Sequence, residues 1–126
     1  METQLLNFEY RTEHPEELEN FLSEVLQLDI RPSQTGLFSV QFGNIQMDVM
    51  QGSGGGGTLQ VALARENFDD LPARWEFFTF RHNEHPTVNF VKSLAVFEMR
   101  DGFTWKITAA PMSFRHENSD IPVRIF

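Results

Sequence analysis

A run of glycines divides the sequence into two halves that share the same order of predicted elements. Residues 52–57 hold five glycines and one serine, so they offer almost no side chains for packing and are typical of a flexible linker or loop. Each flanking half, residues 1–51 and 58–110, reads as a strand, a helix and two or three further strands. A repeat of about 55–60 residues is too long for a solenoid unit and indicates internal duplication. We therefore expect two modules within one domain, residues 1–126, followed by a C-terminal tail at 111–126.

The first half begins with a strand and a helix. Residues 6–11 alternate between apolar and polar, which is the period of a strand with one buried face. Residues 14–17, His-Pro-Glu-Glu, are typical of a helix start, because proline fits the first turn and acidic side chains favour the positive end of the helix dipole. An apolar stripe follows at helical spacing: Leu18, Phe21, Leu22, Val25 and Leu26. Residues 37–42 and 45–50 then form two strands joined by a glycine-asparagine turn.

The second half repeats this order. Residues 59–64 alternate as a strand, and Asn67 is a plausible helix cap with two aspartates in the turn that follows. The helix has an apolar stripe of Leu71, Trp75 and Phe78. Residues 94–99 and 104–108 are strands joined by an aspartate-glycine turn. The sequence thus predicts an α+β domain of paired βαβββ modules, and the alternative is one continuous sheet with helices on one face, as in ferredoxin-like or cystatin-like domains.

The composition excludes several classes of function. The chain has no cysteine, which rules out disulfides, thiolate zinc sites and cysteine nucleophiles. A net charge of −8 argues against nucleic acid as a partner, because an acidic surface repels phosphates. No run approaches the roughly 18 apolar residues of a membrane span, so we expect no membrane partner. The start of the chain also lacks the basic residues of a signal peptide, so we expect a cytoplasmic protein.

Three segments share order and spacing with a known superfamily. Residues 14–26 are similar to its first helix, residues 42–49 to its first hairpin, and residues 99–107 to its closing hairpin. On these segments the chain resembles the vicinal oxygen chelate superfamily, which includes glyoxalase I, bleomycin-resistance proteins and extradiol dioxygenases. Two positions of the helix depart from the usual pattern, since Leu22 stands in place of a tyrosine and Gln27 in place of a glycine.

The resemblance implies a curved, cup-like mixed sheet with the helices outside, the glyoxalase-like fold. In metal-binding members the ligands come from the first and last strands of each module. By position these sites are Asn7 and Asp48 in the first half, and Gln60 and Lys106 in the second. Each is the polar member of an otherwise apolar strand, so the alternation places all four on the face opposite the helices.

These four side chains are a poor set of metal ligands. Divalent ions in such sites prefer imidazole and carboxylate donors, and only Asp48 is of that kind. Gln60 and Asn7 are weaker oxygen donors, and the positive charge of Lys106 repels a cation. We therefore expect no metal and no cofactor, and an ion pair between Asp48 and Lys106 within the cup instead. The alternative is that these are ordinary strand residues on a solvated sheet face.

Other polar residues allow two interpretations each. Glu9 and Arg11 share the strand face of the predicted site, so they either extend a polar pocket, with Arg11 available to bind a ligand carboxylate, or form a surface ion pair. His82 and His85 could bind a metal together. However, Pro86 indicates an irregular loop there, which favours a solvated loop.

The resemblance to bleomycin-resistance proteins implies a protein that binds a small organic molecule in the cup without metal. The alternative is a lyase, isomerase or dioxygenase of the same superfamily, either metal-dependent or with Asp48 as a general base. A scaffold with a filled cup is a third possibility. Related proteins commonly form dimers, so we expect a homodimer. The apolar C-terminal end, residues 121–126, is expected to pack on the domain or on a partner subunit.

Overall fold

The two halves of the chain fold into two modules of the same topology. A computed structural model describes residues 3–34, 36–54 and 56–110, so the predicted tail at 111–126 lies outside the described residues. The elements of module one are β1 (Asn7–Thr12), α1 (Pro15–Asn20) with a π-helical continuation (Phe21–Val25), β2 (Asp29–Pro32), β3 (Phe38–Phe42) and β4 (Ile45–Gln51). Those of module two are β5 (Gly57–Leu63), α2 (Arg65–Asp69), α3 (Leu71–Arg81), β6 (Thr87–Val91), β7 (Leu94–Glu98) and β8 (Phe103–Ala109).

Each module forms its own four-stranded mixed sheet. The strand order is β1-β4-β3-β2 in module one and β5-β8-β7-β6 in module two. The first and last strands of each module pair in parallel, β1 with β4 and β5 with β8, and the other pairs are antiparallel. This arrangement confirms the predicted α+β fold of paired βαβββ modules, and it excludes the alternative of one continuous sheet.

The predicted apolar stripe of the first helix is fully buried. Leu18, Phe21, Leu22, Val25 and Leu26 are each at most 2% exposed. Proline stands in the first turn with two glutamates after it, as the pattern predicted. The second half of the stripe lies in a π-helical stretch, where the helix is wider than an α-helix. A sequence pattern with the 3.6-residue period of an α-helix does not predict this.

The helical region of module two differs from the expectation. Asn67 does not cap a helix, because α2 begins at Arg65 and Asn67 lies within it. A second helix, α3, begins at Leu71 with a proline in its first turn, a position that suits the start of a helix but not its interior. The predicted stripe of Leu71, Trp75 and Phe78 is buried as expected.

Two edge strands escaped the sequence prediction. β2 ends at Pro32, and β6 follows directly after a histidine-proline loop. Proline lacks the backbone N–H that a central strand needs, so its presence argued against a strand in both places. Both strands lie at the outer edge of their sheet, where one side of the backbone needs no partner.

The buried face of the first helix contacts both sheets. α1 contacts β4 of its own sheet, and Phe21 at its end lies 5.0 Å from Phe97 and 6.3 Å from Trp105, ring centre to ring centre, in the sheet of module two. The ring of Tyr10 in β1 also stacks on Trp105 at 6.3 Å. The apolar faces of both sheets therefore share one core, and the polar residues that alternate with the core residues lie on the opposite face of each sheet.

The glycine linker packs against the end of β1. Gly52 donates a backbone hydrogen bond to the carbonyl oxygen of Thr12 at 3.0 Å, and the Ser53 hydroxyl donates to Glu13 at 3.0 Å. A Cβ atom at Gly54 would overlap the carbonyl oxygen of Arg11. Glycine is thus required where the linker crosses β1. No helix in the described part of the chain is long and apolar enough to span a membrane.

Candidate functional site

The polar face of module one is built from alternate residues of β1 and β4. Asn7, Glu9 and Arg11 are exposed on β1, while the residues between them point into the core. Their parallel partners on β4 are Gln46, Asp48 and Met50. Cross-strand neighbours in a sheet point to the same side, so these six side chains share one face, as the alternation predicted for Asn7, Glu9, Arg11 and Asp48.

Asp48 is buried although it lies on the open face. It is only 6% exposed, and Gln46 donates a side-chain hydrogen bond of 2.9 Å to its Oδ1 atom. In the sheet it lies between Glu9 on β1 and Ser39 on β3, and Ser39 is buried too. A buried carboxylate with an amide donor and a hydroxyl neighbour is a group that can accept further hydrogen bonds from a ligand or from bound water.

Glu9 and Arg11 form an ion pair on this face, with Arg11 Nη2 3.3 Å from Glu9 Oε1. Both side chains are about half exposed, so the pair contributes little to stability. The same two residues also line a cleft of about 490 Å³ between β1 and the start of β5, where Ser53 and Thr58 form part of the wall. Glu9 and Arg11 thus form a surface ion pair, and this ion pair lies at the wall of a cleft.

The polar face of module two is more open. Gln60 on β5 lies opposite Lys106 on β8, and both are exposed. On the other side of Lys106 lies Val96 of β7, which cannot form a hydrogen bond through its side chain. Lys106 is therefore a cation free to meet a partner from outside the sheet, and no ion pair involves it within the described residues.

The strand register defines which polar residues of the two modules correspond. Glu9 lies opposite Asp48 in module one, and Gln60 lies opposite Lys106 in module two. Asn7 lies two residues earlier on β1, opposite a different residue of β4. Glu9 rather than Asn7 is therefore the counterpart of Gln60. The sequence comparison had chosen Asn7, two residues before Glu9 on β1, because it could not show the strand register.

Asp48 and Lys106 lie in separate sheets. The predicted ion pair between them does not form among the described residues, since no ion pair there involves either one. Asp48 has Gln46 as its hydrogen-bond donor instead. Asn7 and Gln60 are likewise on separate sheets, each exposed to solvent.

The residues at these positions do not fit a divalent metal ion. Three or more histidine, aspartate or glutamate side chains in metal-binding geometry occur nowhere in the described ranges 3–34, 36–54 and 56–110. Of the four predicted positions only Asp48 carries a preferred donor, and Lys106 places a positive charge where a ligand would be needed. The absence of a metal in the functional protein remains a prediction.

The histidines of the described region are engaged in other contacts. His82 Nε2 lies 3.2 Å from Glu24, and the ring of His85 packs edge-on against Trp75 at 5.4 Å. His14 Nδ1 lies 3.1 Å from a guanidinium nitrogen of Arg100. His82 and His85 thus face different partners, as expected for the loop interpretation, and His116 lies outside the described residues.

Proteins of known structure share this fold at low sequence identity. Oxidase ChaP-H2 is 18% identical with a TM-score of 0.67, covering 88% of this chain and 96% of that chain. The fosfomycin resistance protein FosX from Mesorhizobium loti is 13% identical with a TM-score of 0.59, covering 90% and 96%. FosX from Listeria monocytogenes, complexed with Mn(II) and sulfate ion, is 12% identical with a TM-score of 0.62, covering 94% and 98%.

The likeness is one of structure, because the sequence matches no family profile and no curated protein. The similar chains are almost completely covered, so the whole two-module arrangement is shared, including the packing of one module on the other. All three are members of the superfamily that the hairpin and helix segments resembled. The protein therefore has the fold of the vicinal oxygen chelate superfamily.

Proposed function

We propose that the protein binds a small organic molecule on its polar sheet faces, without metal, in a cup that a second copy of the chain completes. The observation that carries this proposal is the buried carboxylate of Asp48 on an otherwise open polar face. Burial of a charge across from Glu9 costs free energy, and groups of this kind are concentrated at functional sites, so Asp48 is the best candidate for a functional group on this face.

The need for a second copy follows from the packing of the modules. The apolar faces of both sheets are used up in the shared core around Phe21 and Trp105. We therefore expect the polar face of each sheet to be enclosed by a sheet from another chain. In a symmetric dimer, the face with Asp48 from one copy would meet the face with Lys106 from the other, and each dimer would hold two equal cups.

The charges of the two faces indicate the kind of ligand. Lys106 and Arg11 could bind an anionic group such as a carboxylate or a phosphonate, while Asp48 and Gln46 could orient hydroxyl or amide groups. A structural relative, a mutant of FosX from Listeria monocytogenes, has been crystallised with Mn(II) and 1S,2S-dihydroxypropylphosphonic acid, an organic molecule of this size and polarity. By analogy, we expect a small polar organic acid as ligand here.

An enzyme is the alternative function, and the burial of Asp48 favours it specifically. A carboxylate shielded from water but open to a ligand can act as a general base, with the charge of Lys106 stabilising an anion that develops in the transition state. The two polar faces lack the donor residues that a metal-dependent lyase, isomerase or dioxygenase would need. A metal-free isomerase or lyase therefore fits the residues better than a dioxygenase does.

A test of the proposal needs first a ligand and then two complementary variants. Thermal unfolding in the presence of a panel of small organic phosphonates and carboxylates should identify a compound that stabilises the protein. Asp48→Asn and Lys106→Gln should each weaken its binding about tenfold or more, the cost of one charge-assisted hydrogen bond.

A mixed dimer of the two variants then separates the possible sites. If each cup combines two chains, a dimer of Asp48→Asn with Lys106→Gln, purified with two different tags, has one intact cup and binds one ligand at full affinity. Loss of both sites in the mixed dimer would place the ligand within a single chain. A monomer at high micromolar concentration, or one equivalent of bound metal in the purified protein, would contradict the proposal.

A further inference from the structure

An apolar groove lies beside β5, and we call it the β5 groove. It has a volume of about 440 Å³, and it is lined by residues of β5 in module two and of the β3–β4 hairpin in module one. Sites for small molecules typically have volumes of about 300–1,000 Å³. No charged side chain lines the groove in the described part of the chain. The β5 groove therefore has the size and the apolar walls of a site for an uncharged chemical group.

The apolar side chains of the β5 groove are only partly covered by the rest of the protein. Phe8, Phe42, Leu59 and Val61 line the groove and pack against the core without being fully buried. The ring of Phe42 stacks on the core residue Trp105 with ring centres 6.3 Å apart, so this wall of the groove is continuous with the shared core. A ligand that covered these side chains would remove apolar surface from water, which favours binding.

The β5 groove reaches the polar face of module two. Every residue from 59 to 63 lines it, although successive side chains of a strand point to opposite faces of a sheet. The groove therefore runs along the side of β5 and touches both faces of this strand. Its members on the polar face are Gln60 and Ala62, and both are exposed. Gln60 thus belongs both to the β5 groove and to the candidate site.

Lys106 lies next to the point where the groove meets the polar face. It is the partner of Gln60 on the adjacent strand β8, and adjacent strands are about 4.8 Å apart. Lys106 takes part in no ion pair within residues 3–34, 36–54 and 56–110. The Gln60 amide can both donate and accept a hydrogen bond. A molecule with an apolar part in the β5 groove could therefore reach Gln60 with a polar atom and Lys106 with an anionic group.

We propose that the ligand of this polar face is an amphipathic organic acid, with its acidic group at Gln60 and Lys106 and an apolar chain in the β5 groove. This inference rests on the proposed function, and it adds an apolar chain to the acid expected there. Two different physical effects bind the two parts of the ligand. The charge of Lys106 attracts the acidic group, and the burial of apolar surface holds the chain. Among acids with the same acidic group, the length of the chain therefore determines the affinity.

A series of straight-chain carboxylates tests this proposal. Butyrate, hexanoate and octanoate have the same acidic group and differ only in the number of methylene groups. We expect the affinity measured by isothermal titration calorimetry to rise about threefold for each added methylene, because each one is transferred from water to an apolar groove. The heat capacity change of binding should become more negative along the series. Hexanol lacks the charge and should bind about tenfold more weakly than hexanoate.

Two variants and one control locate the parts of the ligand. Ala62→Trp places a large side chain at the groove on an exposed position, and we expect it to reduce the gain per methylene to about 1.5-fold or less. Lys106→Gln should weaken all three acids by the same factor, about tenfold, and leave the gain per methylene unchanged. The matched control is Val91→Trp, an exposed position on β6 at the other end of the same sheet, which should leave all affinities within about twofold of the native values.

A measurement on the native protein does not depend on the folding of any variant. Nuclear Overhauser effects report protons that lie close together in space. We expect them between the terminal methyl group of octanoate and the aromatic protons of Phe8 or Phe42, the two rings that line the β5 groove. Butyrate has a chain too short to reach far into the groove and should give weaker effects to the same rings.

Four results would overturn the inference. Equal affinity for butyrate and octanoate would do so while leaving the proposed function intact, because the acidic group alone would then determine binding. A gain per methylene that Ala62→Trp does not reduce, without contacts to Phe8 or Phe42, would place the chain elsewhere on the protein. Hexanol that binds as tightly as hexanoate would show that the groove binds neutral molecules independently of Lys106. A gain that disappears at protein concentrations where a dimer forms would assign the groove to a second copy.

The same titrations separate this inference from the proposed function. If none of the three acids binds while another small carboxylate or phosphonate still stabilises the protein against thermal unfolding, the inference is wrong and the proposed function stands. If no carboxylate or phosphonate of any length binds, both are wrong.

Discussion

The two modules share one topology but differ in what their polar faces contain. At corresponding positions of β4 and β8, module one has the buried carboxylate of Asp48, while module two has the exposed ammonium of Lys106. The opposite residues on β1 and β5 are Glu9 and Gln60. The two halves therefore share a fold but differ in the charged group at the centre of their open faces, a carboxylate in module one and an ammonium in module two. Groups of opposite charge could contact different parts of one polar ligand.

The largest expected effect tests whether the modules are energetically independent. Phe21 belongs to module one but packs on Phe97 and Trp105 of module two, and it is fully buried. We expect Phe21→Ala to lower the free energy of unfolding by about 3–5 kcal/mol, because it leaves a cavity in the core that both modules share. Urea denaturation should show one transition at a lower midpoint.

The matched control for this substitution lies on α3. Phe80 is 87% exposed, so Phe80→Ala should change the free energy of unfolding by no more than about 0.5 kcal/mol. Two separate unfolding transitions in Phe21→Ala, with the stability of module two unchanged, would contradict this expectation. They would mean that the two modules unfold independently of each other.

A smaller effect should distinguish the two polar faces. Asp48→Ala removes the acceptor of the Gln46 hydrogen bond inside a buried site, so we expect a loss of about 1–3 kcal/mol. Lys106→Ala removes an exposed side chain without an ion pair, so the change should stay within about 0.5 kcal/mol. Thermal and urea unfolding of both variants would measure the difference. Equal losses would show that the faces do not differ in burial as described.

The smallest effect concerns Tyr10, the only tyrosine of the chain. Burial raises the pKa of Tyr10 well above its ordinary 10.0, and the charge of Asp101 adds to the shift. The folded state therefore holds the phenolic proton more tightly than the unfolded state. Its contribution to stability is complete below pH 10.0 and is lost as the pH rises above that value. Near-ultraviolet absorbance should show the phenol ionising only as the protein unfolds.

Tyr10→Phe is the control for this titration. The Tyr10 hydroxyl is buried and has no hydrogen-bond partner in the described structure, so its removal should be close to neutral at pH 7. The phenylalanine variant should keep its stability to higher pH than the native protein. A tyrosine that ionises in the folded protein near its ordinary pKa would contradict the burial of this ring between the modules.

The local elements could be predicted from the sequence because their signals are local. The stripe from Leu18 to Leu26 indicates one buried face, and the structure buries it. The alternation at residues 6–11 is confirmed only in part, because Tyr10 is buried and Phe8 partly buried, whereas Leu6 lies before β1 and is 67% exposed. The edge strands β2 and β6 were missed because proline outweighed a short and mostly exposed strand pattern. The break between α2 and α3 was missed because the predicted cap at Asn67 and the apolar stripe from Leu71 to Phe78 indicated a single helix.

The arrangement of the candidate site depends on contacts between distant parts of the chain. Alternation placed Asp48 and Lys106 on polar faces, which is where they lie. It could not establish that Phe21 packs on the other module, because that contact joins residues 76 positions apart in the sequence. The register that aligns Glu9 with Asp48 also depends on pairing across the module.

The close approach of the linker to β1 has a practical consequence for anyone who modifies this protein. Glycine-rich segments are the usual choice for inserting a tag, a reporter or a second domain, because they are assumed to be loose. Here Gly54 crosses β1 with no room for even a methyl group, so an insertion at this point would displace the edge of module one. The β3–β4 turn is the better place, since a Cβ at Gly43 would meet nothing within 4 Å, but the φ of +60° there favours glycine, so an insertion should leave Gly43 itself unchanged. A fluorescent label there would report on the protein without separating its two halves.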